Sequence, residues 1–225
     1  HEKRFHAATA SYGDGSQTTA ILPLALEVTP QSARRAVMEG LIKTIRETDK
    51  GRINTGIFGT RYVTDVLCDA GEADLAVSLL TQPEYPGFGF QIAQGATTLW
   101  EQWTVKGGMN SHNHAMFAGV DASFYTRLAG ITALKPGFAE IGIRPVMPKS
   151  LTFVEATQET VKGRVAVRWR REGETVTVDV TVPVNATAQV MLPAARREAV
   201  KASDAAFLRM EEGRAVYAVG SGRTL

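Results

Sequence analysis

Glu101 stands between two indoles in the string Gln94-Gly95-Ala96-Thr97-Thr98-Leu99-Trp100-Glu101-Gln102-Trp103. That combination suits sugar chemistry. Flat aromatic faces support the C–H faces of a pyranose, while a carboxylate beside them takes a proton from water. A second polar cluster, Gly107-Gly108-Met109-Asn110-Ser111-His112-Asn113-His114, follows a few residues later. His112 and His114 lie two apart with no cysteine or carboxylate at zinc-site spacing, so the pair gives no reason to expect a metal. Taken by itself, a glutamate among aromatics is as well explained by a surface or helix-capping role. A tryptophan beside a helix start is equally well explained by the core.

Composition narrows the choice. The 225 residues are 44% hydrophobic and 21% charged, ordinary for a globular chain long enough to bury a sizeable core. The net charge of +2 arises from 25 basic against 23 acidic residues, without a dense Lys/Arg stripe, which argues against a nucleic-acid surface and for a neutral partner such as a sugar. No run of about twenty apolar residues suggests a membrane-spanning helix. Nothing points to a cofactor. The single cysteine, Cys68, falls in the apolar pattern Val63, Val66, Leu67, Ala70 and reads as a buried helical thiol, with no internal disulfide to form. The chain opens on His1-Glu2-Lys3-Arg4-Phe5, with neither Met nor a basic-then-apolar leader. This is the expectation for an internal fragment or a processed chain, and it leaves the compartment unread.

The elements that must position these residues divide by periodicity. Helical spacing runs from about residue 16 to residue 131. Asp14 reads as a cap before the Gln17-Thr18-Thr19 helix start. Thr29-Pro30 reads as an N-cap and first helical position, followed by Ala33, Val37, Leu41 and Ile45 along one stripe. A helix over 60–70 should close at Gly71, and a short one over 74–80 should turn Ala76, Val77 and Leu80 inward. Residues 82–90 carry too many Pro and Gly for a helix and too many aromatics for a free linker, so an ordered loop is predicted. Helices are predicted to start over 97–103 and to run over 113–130, with Phe117, Val120, Phe124, Leu128 and Ile131 facing inward. Beyond Pro136-Gly137 the period becomes two: Ile141 and Ile143; Val165, Val167 and Trp169; Val176, Val178, Val180 and Val182; Val190 and Leu192. Turn residues at Lys162-Gly163, Glu172-Gly173 and Pro183 complete the pattern of antiparallel strands, with Arg164, Arg168, Thr175 and Thr177 on the solvated face. A boundary near residue 135 is predicted, with residues 1–135 helical and 136–225 a β-sandwich.

Several strings in one order resemble the bacterial α-L-rhamnosidases. They are Gly13-Asp14-Gly15-Ser16-Gln17-Thr18-Thr19, Thr55-Gly56-Ile57-Phe58-Gly59-Thr60-Arg61-Tyr62, Tyr85-Pro86-Gly87-Phe88-Gly89, Gly95 to Glu101, and Ser111 to Phe117 leading into Phe124-Tyr125 and Leu128 to Ile131. Downstream, Pro136-Gly137-Phe138 and Ile143-Arg144-Pro145 resemble that family's passage into its C-terminal β domain. The resemblance implies a partial (α/α)6 barrel followed by an antiparallel β-sandwich. It also implies inverting hydrolysis of terminal α-L-rhamnosides, with Glu101 as the general base and His114 as a pocket residue binding sugar hydroxyls. Trp100, Trp103, Tyr62 and Arg61 are further candidates for sugar contact; packing accounts equally well for Tyr62, and a solvated charge for Arg61.

The pattern is incomplete in two respects. An inverting glycosidase needs a second carboxyl group about 6.5–9.5 Å from the first, and the Arg/Asn/Glu-rich string carrying the family's general acid has no counterpart in this chain. The helices are also too few to close six hairpins. The implied partners are therefore a rhamnose-containing glycoside or oligosaccharide and a remainder of the catalytic domain N-terminal to His1, without which helix faces should stay exposed. A helical-barrel glycosidase for a different sugar, or a non-catalytic carbohydrate-binding fragment, are the alternatives left open.

Overall fold

The computed structural model describes residues 3–224. Its backbone contacts separate two units, residues 1–123 and 124–225. The dividing point lies before the sequence boundary expected near residue 135, because the strand over 131–133 already belongs to the second unit's sheet.

The first unit begins with a short antiparallel pair, β1 (Phe5–His6) and β2 (Ser11–Tyr12). Helix α1 (Gln17–Ala25) starts after Ser16, not after Asp14. The Asp14 carboxylate instead accepts the Ser16 backbone N–H at 3.0 Å, just ahead of the helix. Ile21 and Leu24 of α1 are wholly buried, and buried Gln17 fixes its start. The Gln17 amide donates to Asp49 and to the Arg52 carbonyl, both at 2.8 Å, and accepts the Asn54 N–H at 3.2 Å.

Helix α2 (Gln31–Lys43) begins one residue later than predicted, with Pro30 as the cap and its carbonyl accepting from Ala33 and Arg34. Thr29 is buried and makes no capping bond. The stripe of Val37, Leu41 and Ile45 is buried as its spacing requires, Ile45 lying in a π turn at Thr44–Thr48. Helix α3 (Ile57–Asp69) starts three residues earlier than predicted, capped by Gly56, and passes α1 closely at Gly59. A Cβ there would lie 2.6 Å from the Thr18 hydroxyl and 2.9 Å from Thr55. Cys68 is buried on this helix. Gly71 at φ +80° ends it. Helix α4 (Ala73–Thr81) buries Ala76, Val77 and Leu79; Leu80, predicted inward, is only half-buried.

Three further predictions change here. Helix α5 (Phe88–Ala93) starts inside the segment read as a loop, since Pro86 obstructs only a helix that must pass through it, and this one begins after Gly87. No helix forms over 97–103, where the backbone bonds across to residues 111–114 instead of to its own preceding turn. The long helix predicted over 113–130 is likewise broken. It is a 3-10 turn at Ala115–Val120, a single α turn at Asp121–Ser123 and a π turn at Phe124–Leu128, and Phe124 is exposed, not inward.

The second unit is a two-sheet sandwich. Strands β3 (Ile131–Ala133), β4 (Glu140–Ile143), β8 (Thr187–Pro193), β10 (Arg214–Val219) and β9 (Ala205–Glu211) form one sheet in that spatial order. Strands β11 (Gly222–Thr224), β7 (Thr175–Val182), β6 (Gly163–Glu172) and β5 (Phe153–Thr160) form the other. Ile141, Ile143 and Val190 from the first sheet meet Val165, Val167 and Val180 from the second in one buried cluster. Buried Trp169 donates its indole N–H to the Leu128 carbonyl at 2.9 Å, closing the core beneath the π turn. One pairing departs from the antiparallel expectation: β4 and β8 run parallel.

Candidate active site

Glu101 is held by a clasp of two backbone segments. Residues 98–101 run beside residues 111–114, with the His114 N–H donating to the Leu99 carbonyl at 2.7 Å and the Glu101 N–H to the Ser111 carbonyl at 3.2 Å. The Thr98 hydroxyl adds a bond to the His112 carbonyl. The connecting tip turns through Gly107 and Gly108, whose φ values of +91° and +87° lie where a residue with a Cβ is strained. That turn presents the Asn110 N–H to Oε1 of Glu101 at 2.6 Å.

The other carboxylate oxygen has a different surrounding. Oε2 lies 4.0 Å from Nδ1 of His114, with the Glu101 and His114 side chains 19% and 29% exposed. This separation exceeds a hydrogen bond, yet one water or sugar hydroxyl can touch both groups. A partly exposed carboxylate with one oxygen committed to a backbone N–H and the other beside an imidazole is equipped to accept a proton from water.

The tryptophans beside Glu101 are buried, as packing residues would be. Trp103 is 9% exposed, and its ring is met edge-on by Phe117 at 4.6 Å and by Phe88 at 5.1 Å between centroids. Its indole N–H donates to the Thr55 carbonyl at 2.6 Å. Trp100 is 6% exposed and meets the His112 ring at 5.9 Å. Both are wall-building core residues. From α5, buried Gln91 donates to the Gln102 carbonyl at 2.8 Å and ties down the same segment.

Arg61 and Tyr62 lie on α3. The Arg61 guanidinium bonds Asp65 at 3.1 Å and sits 4.9 Å over the Tyr62 ring, while its stem packs where a Cβ on Gly119 would stand 2.8 Å from Cδ. Their partners are thus on their own helix and on the turn over 115–120. Of the predicted residues, His114 is the one whose side chain lies beside the Glu101 carboxylate. Sequence reading missed the Asn110 N–H. The adjacent Gly107-Gly108 pair marks the turn that supplies it, but main-chain donors carry no residue signature.

Residues 1–128 match the family described as the bacterial alpha-L-rhamnosidase 6 hairpin glycosidase domain, and residues 130–207 match the bacterial alpha-L-rhamnosidase C-terminal domain. The chain belongs to the bacterial α-L-rhamnosidase family. A curated α-L-rhamnosidase of Streptomyces avermitilis is 34% identical over 215 residues, 92% of this chain and 21% of that protein. One of Formosa agariphila is 34% identical over 200 residues, covering 85% and 22%. Among solved structures, the Streptomyces avermitilis α-L-rhamnosidase complexed with L-rhamnose superposes with a TM-score of 0.89 at 31% identity, over 99% of this chain and 22% of that one. The α-L-rhamnosidase from Dictyoglumus thermophilum gives 0.87 at 33% identity, covering 99% and 26%. These α-L-rhamnosidases are glycoside hydrolases, and the chain spans about a fifth of the length of the curated relatives it matches.

Proposed function

We propose that the protein carrying this chain is an inverting α-L-rhamnosidase that releases terminal α-L-rhamnose from glycosides or oligosaccharides, with Glu101 as its general base. The observation that supports this most directly is the unequal surrounding of the two Glu101 oxygens. Oε1 is committed to the Asn110 N–H, and Oε2 opens toward His114. In the proposed step a water held at Oε2 gives that oxygen its proton and forms a bond to the anomeric carbon. The glycosidic C–O bond breaks at the same time, and its oxygen takes a proton from a carboxylic acid supplied by another part of the catalytic domain. His114 contacts sugar hydroxyls beside the attacking water. In this reading Trp100 and Trp103 serve by fixing the wall behind Glu101, and Arg61 and Tyr62 by supporting the neighbouring helix.

The short span relative to the curated relatives supports a general acid from outside these residues. So do the large apolar side chains left on the surface of the first unit, Phe58, Ile92 and Met116 at 60%, 70% and 51% exposure, which suit burial against further helices of a barrel.

The test is Glu101→Gln in the full-length protein, assayed on 4-nitrophenyl α-L-rhamnopyranoside. Turnover is expected to fall by about 10²–10⁴-fold, the usual worth of a general base, with L-rhamnose affinity largely kept. Wild-type turnover in this variant overturns the assignment. Proton NMR of the first-formed sugar checks the stereochemistry: β-L-rhamnose is expected, and initial α-L-rhamnose contradicts inversion. Cleavage of a different nitrophenyl glycoside with the rhamnoside untouched redirects the substrate.

A further inference from the structure

The tip of the clasp does chemical work through its main chain. We propose that the Asn110 backbone N–H, aimed by the left-handed Gly107-Gly108 turn, is a positioning group for the general base, assigning Oε2 of Glu101 as the oxygen that receives the proton. This rests on the base assignment above.

Three observations converge on it. The Asn110 N–H to Oε1 contact, 2.6 Å, is at the short end for a hydrogen bond to a carboxylate. The arms of the clasp are joined by the Glu101 N–H to the Ser111 carbonyl and the His114 N–H to the Leu99 carbonyl, so the donor, at the tip next to one arm, is held against a carboxylate on the other. The turn between them has nothing within 4 Å of where a Cβ on Gly107 or Gly108 would be, so packing does not demand glycine at either position. Backbone conformation does, since both carry positive φ. The glycines are therefore explained by the path of the loop, and that path ends on the carboxylate.

The consequence is rotational. A glutamate free at its last torsion exchanges its two oxygens. With Oε1 fixed to Asn110, the plane of the carboxylate is set and Oε2 faces His114, so that a water held there has one acceptor at one angle. Such orientation contributes to turnover more than to ground-state sugar binding, because it is used only as the water attacks.

The experiment removes the N–H and leaves the carboxylate. In the full-length protein, Asn110→Pro deletes the donor, and Asn110→Ala keeps it. Asn110→Pro is expected to lower kcat on 4-nitrophenyl α-L-rhamnopyranoside by about 10- to 100-fold, the scale of a small misplacement. KM and the calorimetric Kd for L-rhamnose should move less than about threefold. Asn110→Ala should restore kcat. The inference is overturned if Asn110→Pro and Asn110→Ala have the same kcat, or if Asn110→Pro loses kcat and L-rhamnose binding together. Should proline unfold the protein, the double variant Gly107→Ala/Gly108→Ala decides. It is expected to lower kcat while keeping KM, and unchanged kcat in a folded double variant sinks the proposal. An active Glu101→Gln enzyme would instead defeat the base assignment itself. Loss of turnover in Glu101→Gln with full turnover in Asn110→Pro would remove the positioning role alone.

Discussion

Trp103 and His114 illustrate how a residue's exposure decides its part in a site. Trp103 has its indole N–H committed to Thr55 and its ring enclosed by Phe88 and Phe117. Replacing it with Phe leaves the buried neighbourhood of Thr55 with an unpaired carbonyl and a small void. This should cost about 1–3 kcal/mol of stability, seen as a lower calorimetric Tm, and an unchanged Tm would contradict the wall role. His114 is partly open toward Oε2 of Glu101. In the full-length protein His114→Ala should weaken L-rhamnose up to about tenfold, the worth of one or two hydrogen bonds to a sugar. Calorimetric titration checks it, and unaltered affinity would remove His114 from the pocket.

Between elements, two glycines make opposite predictions. Gly130, just ahead of β3, has φ +77°, and a Cβ there would lie 2.2 Å from the Arg144 carbonyl carbon, a backbone atom that cannot swing aside. Gly130→Ala should destabilise the chain by more than about 1 kcal/mol. Gly40, inside α2 and with nothing within 4 Å of its missing Cβ, is a plain helix interior position. Gly40→Ala should stabilise by about 0.5–1 kcal/mol. Urea unfolding of both variants measures the contrast, and equal midpoints would refute it. The same reasoning shows which elements the sequence revealed. The Val37, Leu41 and Ile45 stripe and the alternation of Val165, Val167 and Trp169 were legible because one buried face repeats at the element's own period. Residues 97–103 were misread as helix because their partners lie across the clasp at residues 111–114, a distant pairing that local spacing does not record. Strands β5 and β9 escaped notice because neither has a fully buried residue, so no strongly apolar face stands out against its neighbours. At the site, Glu101 and His114 were readable through family resemblance, whereas the Asn110 donor was not, since every residue but proline has that N–H.

For the molecule as a whole, both units carry a carboxylate that folding holds in its charged form. Asp14 is kept below its ordinary value of 3.8 by the Ser16 backbone N–H first and by the Ser16 and Thr19 hydroxyls. Glu140 is kept below 4.5 by the Gln189 amide first and by Lys135. A lowered folded-state value contributes stability that is complete above the ordinary value and disappears as pH falls through the folded one. Thermal stability should therefore drop below about pH 4.5, and less steeply in Asp14→Asn or Glu140→Gln; identical acid slopes in wild type and variants would exclude these groups. The parallel seat of β8 beside β4 has a consequence for the order of assembly. The chain must leave β4 at Ile143, lay down β5, β6 and β7, and only then return at Thr187. The three intervening strands pair largely with sequence neighbours and close quickly, and β4 pairs locally with β3 on one edge, whereas its other edge waits for β8, which begins only at Thr187. Pulsed hydrogen exchange during refolding should accordingly find amides of β6 protected before the β4 amides that face β8, and until then that unfilled edge of β4 is where a nascent chain is most open to pairing with a stranger.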